Sequence, residues 1–475
     1  MSKVVIVGGG PVGLASAILF AREGHEVTLL EKDDQPPPKT ALGAWDAWQR
    51  RGVAQFRQIH AMHARFRHIL DAEFPEVRDD IEASGGRRVT FVNGLLRSLP
   101  DPSPLPGDER FETVTARRPV VERAFARAAE NTPGVTIIRG ATVAGPVSNG
   151  SVADGIPHVN GVLTKDGQTY SGDLVIEAMG RRSQFGDWVA GIGGRPPLEE
   201  STDNGFAYYS RHYRCRGDFE PEIRRVPFTL LDSFIVVNIP TDNETWGVAI
   251  VCMAGDKPMK EVRHNDVWER VVRSVPHVSH WIEGDPVDDV LPMAGAMDRY
   301  RRFVLDDKPV VTGMIAVGDS WACTNPTAGR GVSIGLGHAV ALRDVAREHF
   351  DDPFTFATTF DAVTEQRFTP WYRNQVDRDR GRVAVMNAAI EGREPPQPDP
   401  NDPIARMQTA FLIAAEHDPD VARAFAELLS VMALPPEIMS RPGMIEKVMK
   451  AAEGKDLPPM SEPSRDQLLK ILAGP

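Results

Sequence analysis

At 475 residues the chain is too long for one compact core, which predicts two or three lobes, each able to enclose a ligand. A formal net charge of -12 argues against nucleic acid, whose phosphates need a clustered basic face, and makes a small organic molecule the expected partner. Cys215, Cys252 and Cys323 show no paired or Cys/His ligand spacing, which argues against a disulfide framework or a metal site. With no secretory-type leader, and no window approaching the roughly 18 apolar residues of a membrane span, a cytoplasmic protein is expected.

In chain order, residues 3–8 (KVVIVG) predict a buried strand, 12–23 a helix and 26–31 (EVTLLE) a second strand, together a βαβ unit closed by the break QPPPK at 35–39. Helical character is read over 57–72, and a clearer amphipathic helix over 118–131 with proline in its first turn. GVTIIRG and GDLVIEAMG predict further short buried strands of the same lobe. Between about 200 and 255, β-branched and aromatic residues with partial alternation predict an inserted antiparallel sheet. From 313 (GMIAVGD) the chain is expected to return to the first lobe, and beyond about 350 only helices are read, broken by REPPQPDPNDP and ALPPE.

Gly8-Gly9-Gly10-Pro11-Val12-Gly13 fits GxGxxG between a strand and a helix. Gly8 permits the tight turn, Gly10 lets the backbone approach a pyrophosphate, Gly13 lets helix and sheet pack closely, and the helix N-terminus that begins near Pro11 and Val12 offers amides, beyond the proline, and a positive dipole. Glu31, 21 residues after Gly10 and followed by Lys32, is placed to accept from ribose hydroxyls. The motif alone leaves FAD and NAD open.

A second signal is MIAVGDSWACTNPTAGRGVSIGLGHAVAL, residues 314–342. It resembles the FAD-dependent monooxygenase superfamily of aromatic hydroxylases and squalene-epoxidase-like and polyether-epoxidase-like flavoproteins. The resemblance implies that Gly318 and Asp319 contact the ribityl and phosphate region, and that Pro326, Gly329, Arg330 and Gly331 form the loop at the isoalloxazine ring. Small residues there let amides approach the ring, and a helix N-terminus favours negative charge on reduced flavin. GDLVIEAMGRRS resembles the family's Asp-Gly segment through Asp173 and Gly180, although, read without the resemblance, a buried strand with a glycine turn is the favoured account. RRGVAQFRQIHAMHARFRHIL resembles a stretch that helps hold FAD, which implies Gln55 and Arg57 as contacts, with Arg118 a further one. His60 and His63 are spaced to share a helix face and are read as structural or solvated.

Departures from the family are visible. Gly-Asp is followed by Ser320-Trp321-Ala322 where aromatic hydroxylases have Ala-Ala-His, and no Trp-x-Trp-x-Ile-Pro signature of flavin halogenases is present, which argues against chlorination. Gly335 and Gly337 inside the last helix, each costing roughly 1 kcal/mol against alanine, are expected to allow close packing.

The fold implied is α/β: a Rossmann-like FAD-binding lobe (1–75, 110–185 and 295–350), an inserted antiparallel β-sheet substrate domain (76–109 and 186–294) and a C-terminal helical region (351–475). Tyr208, Tyr213, Phe234 and Trp246 are expected to line the substrate pocket; no catalytic residue is assigned. The activity implied is insertion of one oxygen atom from molecular oxygen, by hydroxylation or epoxidation through a flavin hydroperoxide, with NAD(P)H as transient reductant or a separate flavin reductase supplying electrons. The alternatives are a prenyl-reductase-like reductase or dehydrogenase without oxygen transfer, and a non-catalytic nucleotide-binding module.

Overall fold

A computed structural model describes every residue of the chain except Ser98, Pro100, Asp154, Asn204, Pro398, Pro400, Pro458 and Pro475. β1 (Lys3–Val7), α1 (Pro11–Arg22) and β2 (Glu26–Glu31) form the expected βαβ unit. α2 (Ala41–Asp46), α3 (Ala64–Glu73), α4 (Pro75–Ala83) and α5 (Arg118–Glu130) follow, then β3 (Val135–Arg139) and β4 (Leu174–Glu177). The inserted sheet comprises β5 (Phe206–Arg214), β6 (Phe228–Leu230), β7 (Phe234–Pro240) and β8 (Thr245–Met253); after α6 (Asn265–Arg273), β9 (Leu291–Ala294) completes it. β10 (Met314–Ala316) returns to the first lobe, followed by α7 (Gly331–His349), α8 (Pro353–Arg367) and α9 (Thr369–Ile390). The break after α9 leads to α10 (Pro403–Ala415) and α11 (Pro419–Leu429); its Pro398 and Pro400 lie outside the described residues.

The first sheet is wholly parallel, in the order β10-β4-β1-β2-β3. Its strands are rich in β-branched and aliphatic residues because both faces are covered. One face carries Leu14, Ile18 and Phe20 of α1, Val120 and Phe125 of α5 and Leu336 and Leu342 of α7. The other is covered by a three-stranded antiparallel layer, 143–171, supplying Val143, Val159 and Val162. That layer was not read from the sequence, because proline and glycines interrupt its alternation.

The second sheet is antiparallel, in the order β6-β7-β8-β5-β9. On its outer face Tyr213, Phe234 and Trp246 pack with Trp268 and Val271 of α6 and with Leu468 of the helix Arg465–Ala473. Its inner face carries Phe206, Tyr208, Ile235, Val237 and Val251 and meets Met386 of α9.

Two expected boundaries shift. Val77 and Ile81 of α4 and Phe356 and Phe360 of α8 pack in the first lobe's core, so both helices sit with the parallel sheet. The helix expected over 57–72 begins only at Ala64, because residues 58–63 form no helix and pass from the inner sheet, Ile59 against Gly247, to the 326–331 loop, Ala61 against Gly329. Gln58 holds that path, its Nε2 donating to Leu291 O at 3.1 Å and its Oε1 accepting from Ser210 Oγ at 2.6 Å. Among the described residues no helix is long and apolar enough to cross a membrane.

Candidate functional site

The carboxyl ends of β1, β4 and β10 open onto one crevice, and three glycine turns meet there. Gly8 has φ +109 and its amide donates to Leu30 O at 2.9 Å. A Cβ on Gly8 would lie 2.5 Å from Ala178 O, and one on Gly13 only 2.0 Å from Gly8 O, so both glycines are required by backbone approach. Gly318, at φ +59, sits against Val12, and Gly180, at φ +70, adjoins Asp319. The two motifs some 300 residues apart in sequence are therefore one surface. Gly335 belongs to it: a Cβ there would be 2.6 Å from Val12 Cγ2, so this glycine lets α7 close on α1, while Gly337 makes room for Phe368.

Ser320, a departure from the family pattern, fixes this junction. Its hydroxyl accepts from Gly180 N at 2.8 Å and donates to Glu177 Oε1 at 3.2 Å. Glu177 is fully buried and also accepts from Met179 N and Ser183 Oγ; burial raises its pKa. Asp319 stays accessible beside the Arg181 guanidinium at 3.5 Å. His338 of α7 anchors the turn, its Nδ1 accepting from Gly318 N at 3.2 Å.

At the end of β2, Glu31 is 4% exposed. Oε2 accepts from Gly9 N at 2.7 Å and from Arg50 Nη2 at 2.9 Å, and Oε1 from Asp33 N at 2.9 Å, so one acceptor direction remains on Oε1. Arg50, missed in the sequence, also reaches Asp33 Oδ2 at 2.9 Å, Glu122 Oε2 at 3.0 Å and Gly9 O at 3.1 Å. Glu122 passes the network on through Arg118 (Nε to Oε1, 2.6 Å), whose Nη1 donates to His60 Nε2 at 3.0 Å. His60 Nδ1–H donates to Gln58 O at 2.9 Å; burial and the Arg118 charge push the imidazole pKa down to about 3. Charge-assisted bonds thus run from the nucleotide turn to the inner sheet.

The loop before α7 is the second half of the site. Pro326 opens a short turn, Gly329 has φ +66 and its missing Cβ would lie 2.7 Å from Ala61 Cβ. His63 Nε2–H donates to Ala328 O at 2.7 Å; burial holds its pKa down to about 4. These two histidines therefore do not share a helix face: His63 braces this loop, and His60 ends the Arg118 network. Thr327 Oγ1 donates to Asn325 Oδ1 at 2.8 Å and accepts from the Tyr208 hydroxyl at 2.9 Å. Arg330 is buried, bonded to Asn374 Oδ1 at 2.9 Å and lying 5.3 Å over Trp371; burial drops its pKa to about 9. Gly331, at the head of α7, is exposed.

Several expected contacts lie elsewhere. Asp173 accepts from Lys3 N at 2.8 Å, at the amino end of the parallel sheet and about 16 Å of strand from Gly8, because β4 runs parallel to β1 and begins beside it. Tyr213, Phe234 and Trp246 point to the outer face of their sheet, sealed against α6; among the four aromatic candidates Tyr208 faces the loop. Lys32 is exposed over Gly52, and Gln55 occupies a turn whose carbonyl accepts from Gln58 N. Arg57 lies 5.1 Å over Trp45 with Nη2 donating to Trp48 O at 3.4 Å, away from the phosphate turn.

The open surface at the head of α1 and the donors and acceptor around it fit an FAD. A Cβ on Gly10 meets nothing within 4 Å, so the surface at the head of α1 is open. The first intrahelical bond is Leu14 N to Gly10 O, leaving the amides of Val12 and Gly13 to an anion. Val12, Gly13 and Asp319 suit the pyrophosphate and ribityl region, Glu31 Oε1 a ribose hydroxyl, and Gly329 to Gly331 the ring.

Comparison with known proteins agrees. Residues 3–96 match the model of a family described as FAD dependent oxidoreductase. The findings support an FAD-dependent oxidoreductase. Protein Rv3254 of Mycobacterium tuberculosis is 23% identical over 463 residues, spanning 90% of this chain and 89% of its own length. Among solved structures, PqsL, a probable FAD-dependent monooxygenase from Pseudomonas aeruginosa, superposes with TM-score 0.59 at 13% identity, covering 82% of this chain and 98% of that one. The flavin-dependent brominase Bmp2 gives TM-score 0.59 at 16% identity, covering 94% and 98%. The resemblance to FAD-dependent monooxygenases thus holds at the level of fold.

Proposed function

We propose that this chain is an FAD-dependent monooxygenase that inserts one atom of molecular oxygen, by hydroxylation or epoxidation, into a small and largely apolar molecule in the cytoplasm. The observation that carries this reading is the junction of the ring loop with the inner sheet. Tyr208 ties Thr327 to a wall of Phe206, Ile235, Val237 and Val251, so the reactive end of the cofactor would face a dry, apolar surface. Bound FAD, once reduced, supplies the electrons that activate dioxygen.

The chain's own part is to bind, orient and exclude water. The head of α1 takes the pyrophosphate with backbone amides, and the head of α7 sets a positive dipole end beside the ring, where negative charge on reduced flavin is favoured. His60 and His63, held neutral, give this region hydrogen bonds without adding charge. Oxygen transfer is favoured over halogenation because the Trp-x-Trp-x-Ile-Pro signature is absent from the sequence.

The test begins with oxidation of NADH and NADPH by the purified protein, with and without an added flavin reductase, across candidate substrates. Stimulated oxidation without the reductase assigns NAD(P)H as the direct reductant; stimulation only with it assigns a partner. A single turnover under isotopically labelled dioxygen is expected to leave one labelled atom in product. Product without label would reject oxygen transfer and leave a reductase or dehydrogenase. Protein that stays colourless with added FAD would reject both.

A further inference from the structure

α9 crosses from the ring loop to the inner sheet with a polar pair on its buried side. Gln375 and Asp379, one turn apart and 3% and 4% exposed, share one hydrogen bond, Gln375 Nε2 to Asp379 Oδ1 at 2.9 Å. Gln375 Oε1 and Asp379 Oδ2 are left without a donor, each a buried acceptor that costs free energy until a donor arrives. On the loop side Arg330 fastens α9 through Asn374 and Trp371. On the sheet side Arg382 donates to Leu231 O and Phe234 O, and Met386 packs with Tyr208. Asp379 therefore lies on the helix that joins the ring loop to the apolar wall, a buried acceptor among apolar side chains, the mix of groups by which proteins hold small molecules.

We propose that Asp379 is the docking point for the single protic group of an otherwise apolar, uncharged substrate. Its Oδ2 accepts a hydrogen bond from the substrate O–H or N–H and takes up that proton when the group ionises, the bonding pair staying on the substrate heteroatom. The charged groups facing it are Asp298 from the strand Asp298–Arg302, Arg330 from the loop and Arg378 from its own helix; burial, with Asp298, raises the carboxyl to about 7. Such a group accepts a proton near neutral pH. A rival is an anionic substrate paired with the arginines. Arg330 already has Asn374 and an aromatic face, and Arg382, one turn beyond Asp379 with its Nε unpartnered, is held by two backbone carbonyls, whereas the unpartnered atoms of Gln375 and Asp379 are acceptors, which call for a donor.

The inference rests on the proposed function only in taking this region as the substrate pocket, and its test needs no turnover. Equilibrium dialysis of the FAD-loaded full chain against 2-naphthol, its methyl ether and 2-naphthoate is expected to show the naphthol bound about tenfold or more tightly than the ether. That preference should grow as pH rises through 7, where Asp379 ionises and becomes the better acceptor. Asp379→Asn is expected to abolish the pH dependence, and Asp379→Leu the preference itself, with FAD content retained. Equal binding of naphthol and ether, a preference that survives Asp379→Leu, or no binding of any probe would overturn the proposal. Tightest binding of the naphthoate would also overturn it and hand the site to Arg330 and Arg378. An intact preference beside unlabelled turnover product would remove oxygen transfer and leave Asp379's role standing.

Discussion

Arg50 is one guanidinium among three carboxylates, all of them nearly excluded from water. Removing one member of such a cluster costs far more than the cluster contributes, because the remaining charges stay desolvated. Arg50→Met is expected to lower stability by about 3–5 kcal/mol in urea denaturation, and a loss below about 1 kcal/mol would show that Glu31, Asp33 and Glu122 find water or protons instead. Asp319, partly open beside Arg181, is a different case: Asp319→Ala should leave the fold intact and lower FAD content at limiting cofactor. Unchanged FAD content would return Asp319 to a purely structural role. The glycines and Asp319 were legible because backbone geometry restricts what can stand there. Arg50 was not, since residues 50–67 hold five arginines and composition does not say which one is buried.

At the scale of elements, the crossing of α1 and α7 depends on Gly335. Gly335→Ala gains helix propensity, roughly 1 kcal/mol, but must displace Val12 at the head of the phosphate helix, an overpacking cost of about 1–3 kcal/mol. Little net change in melting temperature is expected, together with weaker FAD retention; retention equal to wild type would mean that Val12 moves without consequence. The link from α7 to the Gly318 turn needs a neutral His338, whose pKa burial depresses from 6.5 to about 3. A depressed folded pKa contributes stability above the unfolded value that is lost as pH falls through the folded one. Denaturation midpoints should therefore fall from pH 6.5 toward 3, and less steeply in His338→Met; identical slopes would exclude His338. The parallel strands and α1, α5 and α7 were legible from periodicity. The first part of the segment 57–72 is not helical because its helical spacing is overridden by contact with the ring loop, which holds Ala61 and His63.

At the scale of the whole molecule, the mixed α/β class follows from apolar runs alternating with helices, and the inserted sheet from its β-branched and aromatic stretch. Which face of that sheet meets the cofactor lobe was not legible. Residues 206–213 of β5 are buried on both sides, so alternation carries no polar mark, and only the packing of α6 outside and α9 inside separates Tyr208 from Tyr213. The site between the lobes is likewise a product of tertiary contact: Tyr208, Thr327 and Asp379 come from three distant stretches, and no local pattern joins them.

The edge strand β10 has a further consequence for how the protein is made. Within the chain the nucleotide turn is synthesised before the inserted sheet, whereas Gly318, which packs on Val12, and β10, which pairs with β4, arrive only after that sheet. A nascent chain therefore carries a half-built cradle while the inserted sheet is made and closes it only afterwards. A fragment ending at residue 312 retains β1 to β4 and is expected to hold no FAD in gel filtration; retention like that of the full chain would show that the early half suffices.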